Sequence, residues 1–306
     1  MNILFMGTPE FAVPSLEKLI ADGHEICGVF TQPDKPKNRG MKLLPTPVKV
    51  CAQAHGIPVH QPIKLRDGSA LELIRRLDPE LIVVAAYGRI LPDEILNVPP
   101  KGCINVHSSL LPKYRGAAPI NWAVLNGDTV TGVTIMHMAH DLDAGDIIDM
   151  VSTPIGPDEN AEALYGRLAR LGAELLGDVV QSIQAGRAAR TPQDDAQATL
   201  APMLTKQLSP IDWSRPAQDI HNQVRGLIPW PAASAELGGK RCKVFSAAVL
   251  QEGTSAAPGT ILEAGKNGIW VACGGGTVLN LLELQPDGGK RMKAADYLRG
   301  HPIQVG

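Results

Sequence analysis

A doubly wound, mostly parallel α/β sheet followed by a small C-terminal β-barrel is the fold that this 306-residue sequence predicts. Three observations lead there. The first half alternates short apolar runs with stretches of helical periodicity, the order that builds parallel sheets covered by helices on both faces. Beyond a segment at 185–209 enriched in Ala, Gln, Asp, Thr and Pro, short strand-like runs split by Gly-rich turns take over, as in a small barrel. The length is twice that of a domain of about 150 residues. With 44% hydrophobic and 20% charged residues, each half can bury its own core.

Each element has a local reason. Residues 3–6 form an apolar strand that ends at Gly7-Thr8-Pro9, and Val13, Leu16, Leu19 and Ile20 mark a helix over 12–21. A strand at 25–31 precedes a Pro-, Lys- and Gly-rich stretch, 32–45, that reads as an irregular loop. Thr46 is an N-cap and Pro47 a first-turn proline for a helix to His55. A helix at 66–77 and a fully apolar, buried-type strand at 81–86 follow. After a strand at 104–107 come a non-periodic loop, 108–119, and a short helix to Asn126. Strands at 131–138 and 147–154 flank the turn Asp143-Ala144-Gly145-Asp146. A long helix then lines up Leu164, Leu168, Leu171, Leu175, Val179 and Ile183. The chain divides into residues 1–188, a linker at 189–208, and residues 209–306 with a helix at 216–225 and strands at 243–250, 259–262, 269–273 and 278–284.

Composition excludes several classes. Aromatic residues make up 4%, which speaks against stacking platforms for single-stranded nucleic acid. The N-terminus reads as a strand and a turn, not as a signal peptide, and no apolar run reaches the roughly 18 residues of a membrane span, so a soluble, cytoplasmic protein is expected. Five widely spaced cysteines without a Cys-x-x-Cys pair imply reduced, buried thiols. Net charge is −2, yet residues 33–49 hold Lys35, Lys37, Arg39, Lys42 and Lys49 against Asp34 alone. From residue 205 onward, 11 Lys and Arg stand against 8 Asp and Glu. These basic regions fit either solvated surface or a polyanionic partner.

Asn105 and His107 lie two apart at a strand end, so they project from one face, beyond the strand's carboxyl end where α/β sheets bind ligands. An Asn amide can donate to an oxyanion and an imidazole can carry a proton. Asp141, Asp143 and Asp146 crowd the one later turn able to supply a carboxylate to that imidazole. On the residues alone the pair is either catalytic or a hydrogen-bonding strand end. His137 and His140 are three apart on a strand and face opposite ways, so no metal is expected. No dinucleotide or Walker fingerprint occurs, and Gly274-Gly275-Gly276 reads as a hairpin turn.

At Ile104-Asn105-Val106-His107-Ser108-Ser109-Leu110-Leu111-Pro112-Lys113-Tyr114-Arg115-Gly116 the chain closely resembles the folate-dependent formyltransferases, and Leu142-Asp143-Ala144-Gly145-Asp146 resembles that family's second signature. Further stretches resemble the branch of the family that acts on aminoacyl-tRNA. They are Gly7-Thr8-Pro9-Glu10-Phe11-Ala12, Gln32-Pro33-Asp34-Lys35-Pro36, Arg39-Gly40, Pro45-Thr46-Pro47-Val48-Lys49, Pro229-Trp230-Pro231 and Ala257-Pro258-Gly259-Thr260-Ile261-Leu262. One departure is Ser108, where family members commonly carry Gly or Ala.

The resemblance implies a Rossmann-like formyltransferase domain at 1–188 and an OB-like, tRNA-binding barrel at 209–306. The implied activity is formyl transfer from 10-formyltetrahydrofolate, a co-substrate, to the α-amine of methionyl initiator tRNA, by a monomer that uses no metal. Asn105 would donate to the oxyanion, His107 would shuttle the proton, and Asp143 would hold and charge the imidazole. Ser109, Leu110, Leu111 and Pro112 would contact the folate. Tyr87, Gly88, Arg89, Ile90 and Leu91 would receive the pterin through backbone groups, with residues 139–143 closing the pocket. Lys35, Lys37, Arg39, Lys42 and Lys49 would enter the tRNA acceptor stem from a loop that is mobile before tRNA binds. The rival acceptors are a nucleotide-linked amino sugar, glycinamide ribonucleotide or water, and a non-catalytic RNA-binding relative is the rival outside enzymes. The basic loop and the C-terminal half favour tRNA.

Overall fold

A computed structural model describes residues 1–37 and 42–306, without the side chains of Lys37 and Lys42. Arg39, and part of the loop expected to be mobile, lie outside the described residues. The chain forms two compact units. One holds Met1–Pro119, Val130–Thr153 and Tyr165–Ala201; the other holds Ile120–Thr129, Pro154–Leu164 and Pro202–Gly306.

The first unit is built on a seven-stranded sheet. Its order is Ile147–Pro154, Val130–His137, Cys103–His107, Leu81–Ala85, Asn2–Gly7, Glu25–Phe30 and Val59–His60. The last five are parallel, and Val130–His137 runs antiparallel to Cys103–His107. The mostly parallel sheet is therefore as expected. Leu81–Ala85 is apolar along its whole length and Asn2–Gly7 from Ile3 onward, and Ile3, Leu4, Phe5, Leu81, Ile82 and Val83 are fully buried. Asn2–Gly7 pairs with Glu25–Phe30 on one side and Leu81–Ala85 on the other, so the winding direction reverses beside it, the usual place for a ligand crevice. A Cβ on Gly7 would sit 2.7 Å from that of Ala12 and 3.0 Å from the carbonyl of Ala85, so the first turn accepts glycine alone.

Helix Ala161–Gln184 lies against the sheet face that carries Val106 and Val133. A Cβ on its Gly172 would meet Val106 at 3.0 Å and Val133 at 3.2 Å, which shows how close the helix packs. The N-cap reading holds at Thr46, whose hydroxyl accepts from the Lys49 amide in front of helix Pro47–Ala54.

Two expectations need adjustment here. The loop at 32–45 contains a short antiparallel pairing of Lys35–Lys37 with Lys42–Leu44, where three residues a side suffice and the Pro and Lys content hides the strands. The helix expected from 66 begins at Ser69, because the Asp67 carboxylate accepts from both the amide and the hydroxyl of Ser69 and folds the preceding residues into a turn.

The second unit carries an antiparallel sheet in the order Ala233–Leu237, Lys240–Leu250, Val278–Pro286, Gly268–Ala272, Ile261–Gly265, with Met292–Lys293 beside Val278–Pro286. Helices Ala217–Gly226 and Ala294–Gly300 share its core through Ile220, Val224 and Tyr297. Irregularities beside Ser246 bend the longest strand. Among the described residues the two edge strands do not pair, so the expected barrel is an open antiparallel sheet, not one closed by its ladder. Strand Ala233–Leu237 escaped prediction because Ala-Ser-Ala-Glu-Leu has weak strand preference. Gly274–Gly276 does turn a hairpin, with Ala272 opposite Val278. The five cysteines are free thiols. Among the described residues no helix is long and apolar enough to cross a membrane, and no three His, Cys, Asp or Glu side chains are grouped to hold a metal ion.

Candidate active site

Strand Cys103–His107 delivers two of the predicted residues to one place. Asn105 pairs with Val84 and with Met136, and His107 lies opposite Thr134, so both side chains leave the same face of a strand held on both edges. His107 is 5% exposed, whereas Asn105 is half-buried. Among the described residues the Asn105 amide has no hydrogen-bonding partner, which leaves it available to a ligand.

The His107 ring is fixed by a hydrogen bond at one nitrogen and faces a carboxylate with the other. Nε2 lies 2.9 Å from the carbonyl oxygen of Tyr114. A carbonyl only accepts, so Nε2 carries the hydrogen and donates it. Nδ1 therefore has the free lone pair in the neutral ring, and it faces Asp143 Oδ2 at 3.7 Å. That distance exceeds a hydrogen bond but sets a carboxylate beside the ring nitrogen that bears the free lone pair. The Asp143 carboxylate is aimed by the Gly116 amide, which donates to Oδ2 at 2.8 Å.

Asp143 itself sits in the left-handed region, at φ 52°. Two residues on, a Cβ at Gly145 would stand 1.8 Å from the His137 carbonyl oxygen, so the turn admits only glycine there. The carbonyls of Asp143 and Gly145 both accept from the side-chain amide of Gln193, each at 2.8 Å. Gln193 lies in the stretch read as a linker, and composition carries no signal for it.

The loop after His107 is stapled from below by Thr134. Its hydroxyl donates to the Ser109 carbonyl at 2.7 Å and accepts from the Leu111 amide at 3.1 Å. The Ser109 hydroxyl donates to the Lys113 carbonyl at 2.6 Å. Ser109 and Leu111 are buried, while Leu110 and Pro112 are half-buried and form the accessible side of the loop. Ser108 is half-buried. The sequence signal for Thr134 is its place as the one polar residue inside the apolar run 133–136.

At the neighbouring strand end the Tyr87 carbonyl accepts from Thr8 Oγ1 at 3.0 Å and from Gln32 Nε2 at 3.1 Å. Thr8, Gln32 and Tyr87 follow three adjacent parallel strands, so these bonds floor the crevice. Burial pushes the Tyr87 hydroxyl up to about 12. Arg89 donates to Gln32 Oε1 at 3.2 Å and to the Ile63 carbonyl. Tyr87 and Leu91 are buried, whereas Gly88 and Ile90 are exposed.

The basic residues divide. Lys35 is exposed. Lys49 points inward, with Nζ 2.6 Å from Asp34 Oδ2 and 2.9 Å from Gln61 Oε1. Its hydrogen bond, with that of Gln61, holds the Asp34 carboxyl below the usual range. Gln61 also donates to the Gln32 carbonyl at 2.9 Å, which ties the base of the basic hairpin to the crevice. A cavity of about 730 Å³ lies elsewhere, lined by Lys101, Gly102, Cys103, His137, His140 and Arg190 near the start of strand Cys103–His107. Its lining does not include Asn105, His107 or Asp143.

Comparison with known proteins gives this geometry a family. Residues 1–180 match the formyl transferase family and residues 203–302 match the formyl transferase C-terminal domain. The methionyl-tRNA formyltransferase of Trichlorobacter lovleyi is 52% identical over 305 residues, covering 100% of this chain and 96% of the relative. Among solved structures, the N-formyltransferase of Helicobacter canadensis in complex with folinic acid and dTDP-3-aminofucose aligns with a TM-score of 0.70 at 20% identity, over 91% of this chain and 98% of that one. HypX of Aquifex aeolicus in complex with tetrahydrofolic acid aligns with a TM-score of 0.64 at 17% identity, over 100% and 48%. The two structures share the fold; the full-length relative is far nearer in sequence. The chain belongs to the formyl transferase family, among its methionyl-tRNA formyltransferases.

Proposed function

We propose that this protein transfers the formyl group of 10-formyltetrahydrofolate to the α-amine of methionyl initiator tRNA. The reading is carried by 52% identity across the whole chain to an enzyme of that name. The site geometry supports a mechanism for it. An unpartnered Asn105 side-chain amide, a half-buried Leu110 in the loop that follows, and Gly88 and Ile90 open at the next strand end suit a folate laid along the crevice. When bound, the folate supplies the formyl carbon.

Asn105 donates to the formyl oxygen as negative charge develops on it; one such donor lowers a barrier by about 2.7–4 kcal/mol. His107 accepts the amine proton at Nδ1 and returns it to the departing nitrogen, while its Nε2–H stays on the Tyr114 carbonyl. Asp143, 3.7 Å from Nδ1, stabilises the ring while it is charged.

Residues 1–188 carry the reacting groups and residues 209–306 bind tRNA in a monomer, with 189–208 leading from one to the other and its first part, to Ala201, packed within the first unit. Lys35, Lys37, Arg39 and Lys42 meet the acceptor stem, and Lys49 acts at the hairpin base through Asp34 and Gln61. Binding then weakens with salt in proportion to the phosphates neutralised. A sugar acceptor would leave the cationic hairpin without a partner.

The test is transfer of labelled formyl from 10-formyltetrahydrofolate to methionyl initiator tRNA, with elongator methionyl-tRNA and the His107→Ala protein as controls. Transfer to the initiator alone, lost in the variant, is the expected result. Folate binding without transfer to either tRNA would overturn the acceptor assignment.

A further inference from the structure

The run Tyr114–Gly116 carries the partners of both members of the proposed proton-handling pair: the Tyr114 carbonyl for His107 and the Gly116 amide for Asp143. This run is itself fastened by residues 193–201. The Tyr114 amide donates to Thr199 Oγ1 at 2.9 Å, the Arg115 amide to the Thr199 carbonyl at 2.8 Å, and the Ala117 amide to the Ala201 carbonyl at 2.8 Å. At the near end of the same segment, Gln193 completes the arrangement. Its Oε1 accepts from Arg115 Nε at 3.1 Å and from a second guanidinium nitrogen at 2.8 Å. Its Nε2 gives both hydrogens away, to the carbonyls of Asp143 and Gly145.

The chemistry leaves one orientation for this amide. A guanidinium only donates and a carbonyl only accepts, so oxygen must face Arg115 and nitrogen must face the turn. Every donor of the Gln193 amide is used, and the Asp143 turn is tied to Arg115, one residue from each partner of the His107–Asp143 pair. The guanidinium is anchored further by Asp195 at 2.7 Å.

We propose that Gln193 is a positioning residue for formyl transfer: by gripping the carbonyls of Asp143 and Gly145 it holds the Asp143 carboxylate at the distance from His107 that proton transfer needs. This rests on the roles proposed above for His107 and Asp143. Gln193 touches no substrate; it acts through Asp143.

Gln193→Glu is the sharp variant. It keeps the size and the Arg115 contact, but sets a carboxylate oxygen against two carbonyls. Misplaced supporting groups of this kind cost about 10–100-fold in activity. The expected result is a kcat lower by that factor, with KM for both substrates within about twofold of wild type. In the Asp143→Asn background the same change should cost nothing further, because the carboxylate it positions is gone. Gln193→Met, which loses the two bonds without adding repulsion, repeats the cycle if the Glu variant fails to fold, as judged by thermal melting. Equal losses with and without Asp143, or a rise in KM at constant kcat, would overturn the proposal. The cycle is read on whichever acceptor the wild-type protein formylates. A wrong tRNA assignment therefore appears in the wild type, and a wrong role for Gln193 appears in the cycle.

Discussion

The strand end that bears Asn105 and His107 and the turn that bears Asp143 are held by different means. Asn105 is locked between Val84 and Met136 by ladders on both edges, so backbone pairing sets where its side chain goes. Asp143 stands in a left-handed conformation that costs a non-glycine residue about 1–2 kcal/mol, and its backbone is satisfied by the side chain of a residue fifty positions later. A strand orients what it carries through a pattern every residue shares. A turn depends on particular partners, and one substitution can remove them.

The largest expected effect breaks this contrast at its rigid end. His107→Ala should lower kcat by about 10²–10⁴-fold through loss of the proton carrier. Asn105→Ala should cost about 10²–10³-fold through loss of the oxyanion donor. The Asn105 side-chain amide makes no hydrogen bond among the described residues, so its removal should change stability by less than about 0.5 kcal/mol. Urea unfolding beside the formyl-transfer assay separates the two quantities. A stability loss that accounts for the activity loss would assign Asn105 a structural role instead.

The same contrast explains how far the sequence could be read. Apolar runs such as 81–85 announce their strands, and the two-residue spacing of Asn105 and His107 is enough by itself to place them on one face. Helical stripes and the Thr46-Pro47 start are equally local. Gln193 is different. Its role depends on Arg115, Asp143 and Gly145 meeting across a tertiary contact, and in sequence it sits among Thr, Pro, Asp and Ala as any linker residue would. Lys49 shows the converse: a cation counted with its neighbours is turned inward by Asp34 and Gln61. Charge patterning reports how many cations a segment has, not which of them already have a partner.

A middle-sized effect sharpens the comparison at the loop between the two regions. Thr134 reaches from its strand to hold Ser109 and Leu111, so Thr134→Val leaves a buried amide and a buried carbonyl without partners at nearly constant volume. Such a loss costs about 1–3 kcal/mol. Chemical unfolding should register it, whereas Gln193→Met should register mainly in kcat. Were the two variants to exchange these signatures, the division between strand support and turn support would be wrong.

The smallest effect lies on the other face of the same strand pair. His137 is opposite Ile104, three residues from Thr134, and so points away from Asn105 and His107. It is buried, and the Ala189 backbone and the Asp146 carboxylate favour its charged form too weakly to offset that burial. Burial, with Arg190 adding to it, lowers its affinity for a proton below the ordinary 6.5. In the unfolded chain the same ring charges normally. Below pH 6.5 the unfolded state therefore binds more protons than the folded state, and stability falls as pH falls through the window between 6.5 and the lowered folded value. Each unit of difference is worth about 1.4 kcal/mol at most. His137→Leu, close in volume and unable to charge, should flatten the acid side of a stability-against-pH curve while leaving the plateau above 6.5 in place. An unchanged slope would show that other groups, such as the half-buried His60 in the same unit, dominate the titration.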